Sequence, residues 1–174
     1  FGPAVPTRFD STPLAASGGP SYRHDVKPIL DRRCVVCHGC YDAPCQLKLG
    51  SWDGLARGSS KAPVYDVRLL QAPTTRLGID AQTASQWRQR GFDAVLNERS
   101  TRPGNELAAS VLYRSLMHKQ AHPLPAGPLL PGSLDVSLDR AQSCPKLAEY
   151  DAHERQHPLA GMPYGLPALA PQEH

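Results

Sequence analysis

Breaks in regular structure recur along this chain faster than a long helix or strand can extend. It carries 18 prolines and 14 glycines among its 174 residues, well above the roughly 12% that the two supply together in an ordinary globular sequence. Each proline fixes φ and removes a backbone donor, and each glycine adds chain entropy that folding must overcome. Long helices and broad sheets are therefore excluded over most of the length, leaving short elements joined by loops. Aromatics make up only 6% and hydrophobics 40% of the residues, so a core made of side chains alone is thin. That points to some further apolar body completing it.

Charge and hydropathy narrow the classes. The net charge is +3, from 19 Lys and Arg against 16 acids. Arg32-Arg33 is the only basic doublet, so there is no basic stripe of the kind nucleic-acid binding needs. No apolar run approaches the roughly 20 residues that cross a bilayer as a helix. The chain starts at Phe1-Gly2-Pro3 and stops at Pro171-Gln172-Glu173-His174, where a proline and an acid read as a helix start. The expectation is that a leader precedes this sequence and more of the polypeptide follows it.

Residues 1–20 read as an extended arm, and 21–174 as one domain. From Ser21 to Cys37 the pattern is helical, with Val26, Ile29, Leu30 and Cys34 on one face and Asp25 as the expected cap that makes Pro28 tolerable. Residues 38–50 read as a loop. Ser51 to Leu55 reads as a short helix closed by Gly58. Asp80 is the expected cap of a helix carrying Ala81, Ala84 and Trp87. Asn105 is the expected cap of another, with Leu107, Val111, Leu112 and Leu116 inward. Two Pro/Gly/Leu-rich stretches, 122–145 and 157–171, read as loops. The fold class expected is mostly α, a loop-heavy domain.

Cys34-Val35-Val36-Cys37-His38 is C-x-x-C-H, the attachment signature of c-type haem. Two thiols three residues apart near a helix end can each add to one vinyl group of the same porphyrin, and the next residue places its imidazole on the iron. The expected cofactor is one covalently attached haem c, held by Cys34 and Cys37 with His38 as an axial ligand. A rival reading takes Cys34, Cys37, Cys40 and Cys45 together as C-x2-C-x2-C-x4-C, one residue away from an iron–sulfur spacing and also able to hold zinc. With haem attached, Cys40, Cys45 and Cys144 remain, enough for one disulfide and one free thiol, in a pairing that the spacing does not choose. Haem c is attached outside the cytoplasm, where disulfides persist.

The other axial position has several candidates. Met162, in Gly161-Met162-Pro163-Tyr164-Gly165, lies in a stiff loop suited to holding a thioether over a haem face. Met117 reads as a core residue, since thioethers fill irregular gaps. His118, His122, His153 and His157 offer nitrogen ligands but read individually as surface or capping residues. Arg32 and Arg33 are candidate propionate partners, with a solvated face expected for at least one of them. The apolar loops 123–131 and 158–171 either wrap the haem and core or dip into a membrane surface.

The run Arg33-Cys-Val-Val-Cys-His-Gly-Cys-Tyr-Asp-Ala-Pro-Cys-Gln-Leu-Lys-Leu49 resembles the haem-binding region of bacterial fatty-acid cis–trans isomerases. So do Pro73-Thr-Thr-Arg-Leu77, Gly91-Phe-Asp-Ala-Val-Leu-Asn-Glu98, Ser137-Leu-Asp-Arg140 and His157-Pro-Leu-Ala-Gly-Met-Pro-Tyr-Gly-Leu-Pro167. The resemblance covers residues 21–174 and implies a cytochrome c-like haem domain at the N-terminal end of a longer periplasmic enzyme. It implies conversion of cis to trans double bonds in the acyl chains of membrane phospholipids, with the membrane surface and the rest of the polypeptide as partners. It also implies a mechanism in which ferric haem withdraws electron density from the alkene so that the bond can rotate. An iron with both axial sites filled has no position for an alkene. The expectation is therefore that Met162 is displaced in the working state, or that the rest of the polypeptide supplies the activating contacts. No catalytic residue beyond the haem ligands is assigned. The other functional class open at this point is a monohaem electron-transfer module of another periplasmic oxidoreductase.

Overall fold

Ser21 opens the first helical segment by reciprocal capping. Its hydroxyl accepts from the His24 amide, and its own amide donates to the Asp25 carboxylate at 2.6 Å. Ser21 is thus the cap, and Asp25 is its acidic partner one turn in, a variant of the capping box. The computed structural model describes residues 2–10, 18–40, 42–66, 69–70, 75–99, 107–137, 140 and 143–173. In it a π-helical turn, Tyr22–Val26, runs into helix α2, Lys27–Arg33, which carries Pro28 in its first turn. There the missing donor costs no intrahelical bond. The backbone breaks at Cys34 (φ −126°, ψ −39°) and resumes as the single turn α3, Val35–His38. The helical pattern from 21 to 37 is therefore real but divided into three pieces. Before it, the arm expected to be extended contains one helical turn, α1, Thr7–Asp10.

The next elements form a self-contained scaffold. Helix α4, Trp52–Arg57, starts at Ser51, whose hydroxyl accepts from the Gly54 amide, and ends at Gly58. Gly58 is required there on two counts. Its φ is +82°, and a Cβ would lie 2.1 Å from the Asp93 carbonyl oxygen, against which Ser59 and Asp93 exchange backbone hydrogen bonds of 2.9 and 2.7 Å. Helix α5, Ala84–Gln89, is started by a Thr83–Gln86 capping box. Asp80, the expected cap, instead accepts from the Arg76 amide and pairs with its guanidinium at 2.8 Å. Trp87 and Phe92 pack edge to face, 5.4 Å between centroids, beside buried Ala81. The only strands among the described residues are the two-residue β1, Tyr65–Asp66, and β2, Leu69–Leu70, paired antiparallel.

Helix α6, Val111–Ala121, is capped by Ser110, whose hydroxyl accepts from the Tyr113 amide. Asn105, the expected cap, lies outside the described residues, and Leu107 is exposed rather than inward-facing. A Ser110 hydroxyl bond to the Val95 carbonyl (2.9 Å) and a Leu112 amide bond to the same oxygen (3.0 Å) seat the start of α6 on the scaffold. Helix α7, Tyr150–Gln156, follows a 3₁₀ turn at Leu147–Glu149 and has no counterpart in the sequence reading. Its sequence offers one large apolar residue, so no periodic stripe announces it. Tyr150, almost fully buried, anchors it through a hydroxyl bond to Ser115 (3.2 Å) and lies under the Arg114 guanidinium at 4.5 Å. Arg114 also pairs with Asp151 and Glu154. The protein is thus helical-leaning with very little strand, as the proline and glycine spacing requires.

The core lies between these parts. Leu49, Leu55 and Val95 form its buried centre, with Tyr22, Cys34, Val35, Leu47, Leu96 and Leu112 packed around them. A disulfide joins Cys45, in the 3₁₀ turn Pro44–Gln46, to Cys144, 99 residues later. Of the three pairings the spacing allowed, two tie the distant loop to the cysteine-rich segment, and this is one of those two. Cys40 is left as a free, exposed thiol.

Candidate functional site

His38 is the best-defined side chain of the site. It ends α3, is largely buried, and has Nδ1 3.1 Å from the Leu47 carbonyl oxygen. The Leu49 amide donates back to the His38 carbonyl at 2.9 Å, so the alternating Leu47-Lys48-Leu49 segment clamps the histidine from both sides. A carbonyl on Nδ1 fixes the proton there and leaves Nε2 as the lone-pair nitrogen, the arrangement found behind metal-bound histidines. Burial also pushes the His38 pKa down, which keeps the ring in the neutral form that binds metals.

That ring opens onto a cavity of about 350 Å³ lined also by Cys34, Cys37 and Met162. The size falls within the range of small-molecule and cofactor pockets. Apolar lining comes from Leu47, Leu49, Val95, Leu112 and Leu116 among others. The four residues expected to hold the iron and its macrocycle therefore meet at one cavity, though they come from opposite ends of the chain. Met162 is brought there by the glycine before it. A Cβ on Gly161 would lie 2.3 Å from the Lys119 amide nitrogen, so only glycine allows the loop to rest on α6. There the Met162 amide donates to the Ser115 carbonyl at 2.8 Å.

The remaining candidates divide cleanly. His153 lines the cavity, whereas Met117, His118, His122 and His157 do not. Burial, followed by the nearby charge of His157, lowers the His153 pKa to about 4. Cys34 keeps a free thiol whose pKa burial raises to about 11, and Cys37 is free and exposed. The four-cysteine reading fails at Cys45, which is fully buried and bonded to Cys144, so an iron–sulfur or zinc set cannot be drawn from it. Arg32 is mostly solvated beside Glu173, while Arg33 donates to the Ala168 carbonyl at 2.8 Å and lines the cavity.

Arg140 is the residue the sequence reading passed over. Its guanidinium stacks on Tyr164 at 4.1 Å and donates to the Ser143 hydroxyl at 3.1 Å. Its Nε is buried without a hydrogen-bond partner, as is that of Arg33, and both side chains border the cavity. Two cations with spare donors at one apolar pocket suit a ligand that carries carboxylates. The only sequence signal was its place in Ser137-Leu-Asp-Arg140, and nothing in that string announced a cavity.

Comparison with known proteins bears on the C-terminal part of this arrangement. The family model for fatty acid cis/trans isomerase matches residues 72–174, more than half of the chain. The chain belongs to the fatty acid cis/trans isomerase family. No match was found among curated proteins or solved structures. In this isomerase-family chain the matched span includes Arg140, Cys144, His153 and Met162, and begins downstream of Cys34, Cys37 and His38. The enzyme class is that of an isomerase acting on fatty acids, which favours isomerisation over an electron-transfer role.

Proposed function

We propose that the cavity holds one haem c and that the protein uses it to isomerise unsaturated acyl chains of membrane phospholipids from cis to trans, in the periplasm. The observation that carries this is the meeting of Cys34, Cys37, His38 and Met162 at one largely apolar cavity. In this reading Cys34 and Cys37 would anchor the macrocycle by thioether bonds, and His38, held by the Leu47 carbonyl, and Met162 would hold its iron. Arg140, with a buried Nε free of any hydrogen bond, and Arg33, whose Nε is only ion-paired with Glu173 at 3.6 Å, would turn their guanidinium groups to the propionates. The domain is then cytochrome c-like in the sense of its haem attachment, with the proline-rich loops as the frame around the macrocycle.

Bound there, haem c supplies an electron-withdrawing iron centre, and a His/Met ligand pair raises its potential in that direction. The chain's own part is to hold and dry that centre. Leu47 keeps the His38 tautomer, Gly161 lets Met162 approach, and the Leu and Val side chains exclude water from an apolar substrate. The loop 157–171 covers the core, with Ala160 and Leu169 buried, whereas Leu129 and Leu130 of the loop 123–131 face solvent. That second loop is the better candidate for meeting a lipid surface. No helix among the described residues is long and apolar enough to cross a membrane.

A pyridine-haemochrome spectrum of the denatured protein tests the reading at its base. The expected result is a c-type spectrum with one haem per chain that acid–acetone does not extract. In the double variant Cys34→Ala, Cys37→Ala the pigment becomes extractable or is lost, and trans fatty acids no longer form in cells carrying the full-length enzyme. A colourless wild-type protein that still isomerises acyl chains would sink the haem proposal while leaving the family assignment intact.

A further inference from the structure

We propose that His118, His122 and Glu154 form a binding site for a divalent transition-metal ion of the zinc class, separate from the haem cavity. The two histidines stand four residues apart, His118 in the last turn of α6 and His122 at its C-cap, a spacing that places two imidazoles one above the other on a helix. Glu154 comes from α7. One donor atom from each of the three lies within 4.8 Å of the others. Zinc bonds of about 2.0–2.1 Å to nitrogen and oxygen in a tetrahedron put ligand atoms about 3.3 Å apart. Rotation about the side-chain bonds of exposed His122 and half-buried Glu154 closes the remainder.

His118 supplies the independent sign that something belongs there. It is 1% exposed, yet neither ring nitrogen has a hydrogen-bond partner of normal geometry among the described residues. Burial lowers its pKa, against the smaller raising effects of the Glu154 carboxylate and then the Pro158 carbonyl. A buried imidazole left without partners carries its full desolvation cost unless a ligand takes its lone pair. The His122 ring meets it edge to face, 5.4 Å between centroids, on the solvent side, which gives an ion a way in.

The surrounding charges are compatible with a cation. Arg114 lies 3.5 Å from Glu154 Oε2, but the same guanidinium also pairs with Asp151, so a carboxylate oxygen of Glu154 can turn to the metal without leaving Arg114 unpaired. Lys119 is the other nearby cation, and burial lowers its pKa as well. Two neutral imidazoles and one carboxylate make an N2O donor set with a fourth position for water, the ligand set that suits zinc and its neighbours in the first-row series. None of the three residues borders the haem cavity, yet α6 and α7 both do, through Ser115 and Leu116 and through Tyr150 and His153. A metal here would clamp together two walls of that cavity.

The test is a calorimetric titration of the tag-free holoprotein, freed of metal with EDTA, using zinc chloride, with bound metal counted by mass spectrometry. One equivalent should bind saturably and raise Tm by about 5–10 °C at a hundredfold excess over Kd. His122→Ala, which alters an exposed ring and leaves folding intact, and Glu154→Gln should each weaken zinc binding by about 100-fold or more, beyond what changes around a ligand produce. His157→Ala should leave the affinity unchanged, and the haem spectrum should stay the same in all three. Absence of stoichiometric zinc, or equal affinity in wild type, His122→Ala and Glu154→Gln, would overturn the site. So would a loss in His157→Ala as large as in the other two.

Discussion

Arg88 and Arg140 are both arginines drawn partly into the protein, but their surroundings are opposite. All donors of Arg88 are used. Its Nε and Nη2 grip the Glu98 carboxylate at 2.9 and 2.8 Å, and it also donates to the carbonyls of Ala56, Arg57 and Phe92. Arg140 makes one side-chain hydrogen bond, to Ser143, and keeps a buried Nε without a partner. The contrast extends to their regions. Around α4 and α5 charged groups close on one another and on the backbone. On the cavity wall the Nε atoms of Arg33 and Arg140 are buried without a hydrogen-bond partner, and on α6 beside it so are the Lys119 Nζ and the His118 ring nitrogens. Native proteins keep such groups few. Around α4 and α5 the Arg57 Nε is in the same state, but its other guanidinium nitrogens donate to Thr75 and to the Gln46 carbonyl. The α4–α5 half is thus the more closed of the two, and the cavity half the more open.

The disulfide ties the loop at Cys144 to the cysteine-rich segment at Cys45, both beside the cavity, so removing it should have the largest effect. It closes a loop of 99 residues, for which chain entropy gives about 4–5 kcal/mol of stabilisation. Cys45→Ser with Cys144→Ser is expected to lower unfolding stability by that order in urea titration and to loosen the cavity wall at Cys144. A loss under about 1 kcal/mol, below the typical ~2–4 kcal/mol, would show that packing alone holds the Cys144 loop to the cysteine-rich segment.

Glu98→Ala breaks the closed half without touching the cavity. Glu98 is 3% exposed, and deleting it strands the Arg88 guanidinium in a buried place. Losing one partner of a buried pair costs about 3–5 kcal/mol. Chemical denaturation should show this, while the spectrum of the proposed haem stays as in the wild type in the folded fraction. A changed spectrum at unchanged stability would reverse the assignment of which half does which task.

How much of this division could be read from the sequence depends on where each signal resides. Cys34, Cys37 and His38 stand out in the sequence because the spacing of C-x-x-C-H brings them within five residues, and the structure places all three at the cavity. Gly58 and Ser51 were legible for a similar reason, since a helix end needs a hydroxyl cap or a positive φ within one turn. The caps Ser21, Thr83 and Ser110 were missed in favour of Asp25, Asp80 and Asn105. A capping residue and the acid or amide near it are both good oxygen acceptors, and sequence alone does not say which faces the helix. Helix α7 was invisible because Tyr150 is held by tertiary contacts with Ser115 and Arg114 and not by an apolar stripe. The arrival of Met162 was foreseeable from its stiff loop, but the seat made for it by Gly161 on α6 depends on two segments more than 40 residues apart in sequence.

Gly161→Ala probes the cavity half directly. The added methyl would press on the Lys119 backbone, which cannot rotate away, and such overpacking costs about 1–3 kcal/mol. The loop should yield before α6 does, so the expected signature is a change in the spectrum of the proposed haem, where Met162 would meet it, with a modest loss of stability. A spectrum identical to wild type with full stability would mean that the Met162 loop does not need this close approach.

The smallest effect separates the halves by pH. His153, which lines the cavity and holds no metal in either proposed site, has a pKa lowered to about 4 by burial and then by the nearby charge of His157. Because the unfolded ring titrates near 6.5, the unfolded state binds more protons in the window between that value and the folded one. Stability is therefore full above about pH 6.5 and falls as the pH drops through the window toward 4. The His153 ring is only half-buried, so solvent screening reduces its share, and His153→Gln should recover only about 2–4 °C of the Tm lost on acidification. Thermal unfolding of wild type and His153→Gln at pH 7.5, 6 and 5 measures it. Parallel curves for the two proteins would place the acid sensitivity elsewhere, and an equal drop in a variant of the α4–α5 half would remove the distinction between a closed scaffold and an open cavity.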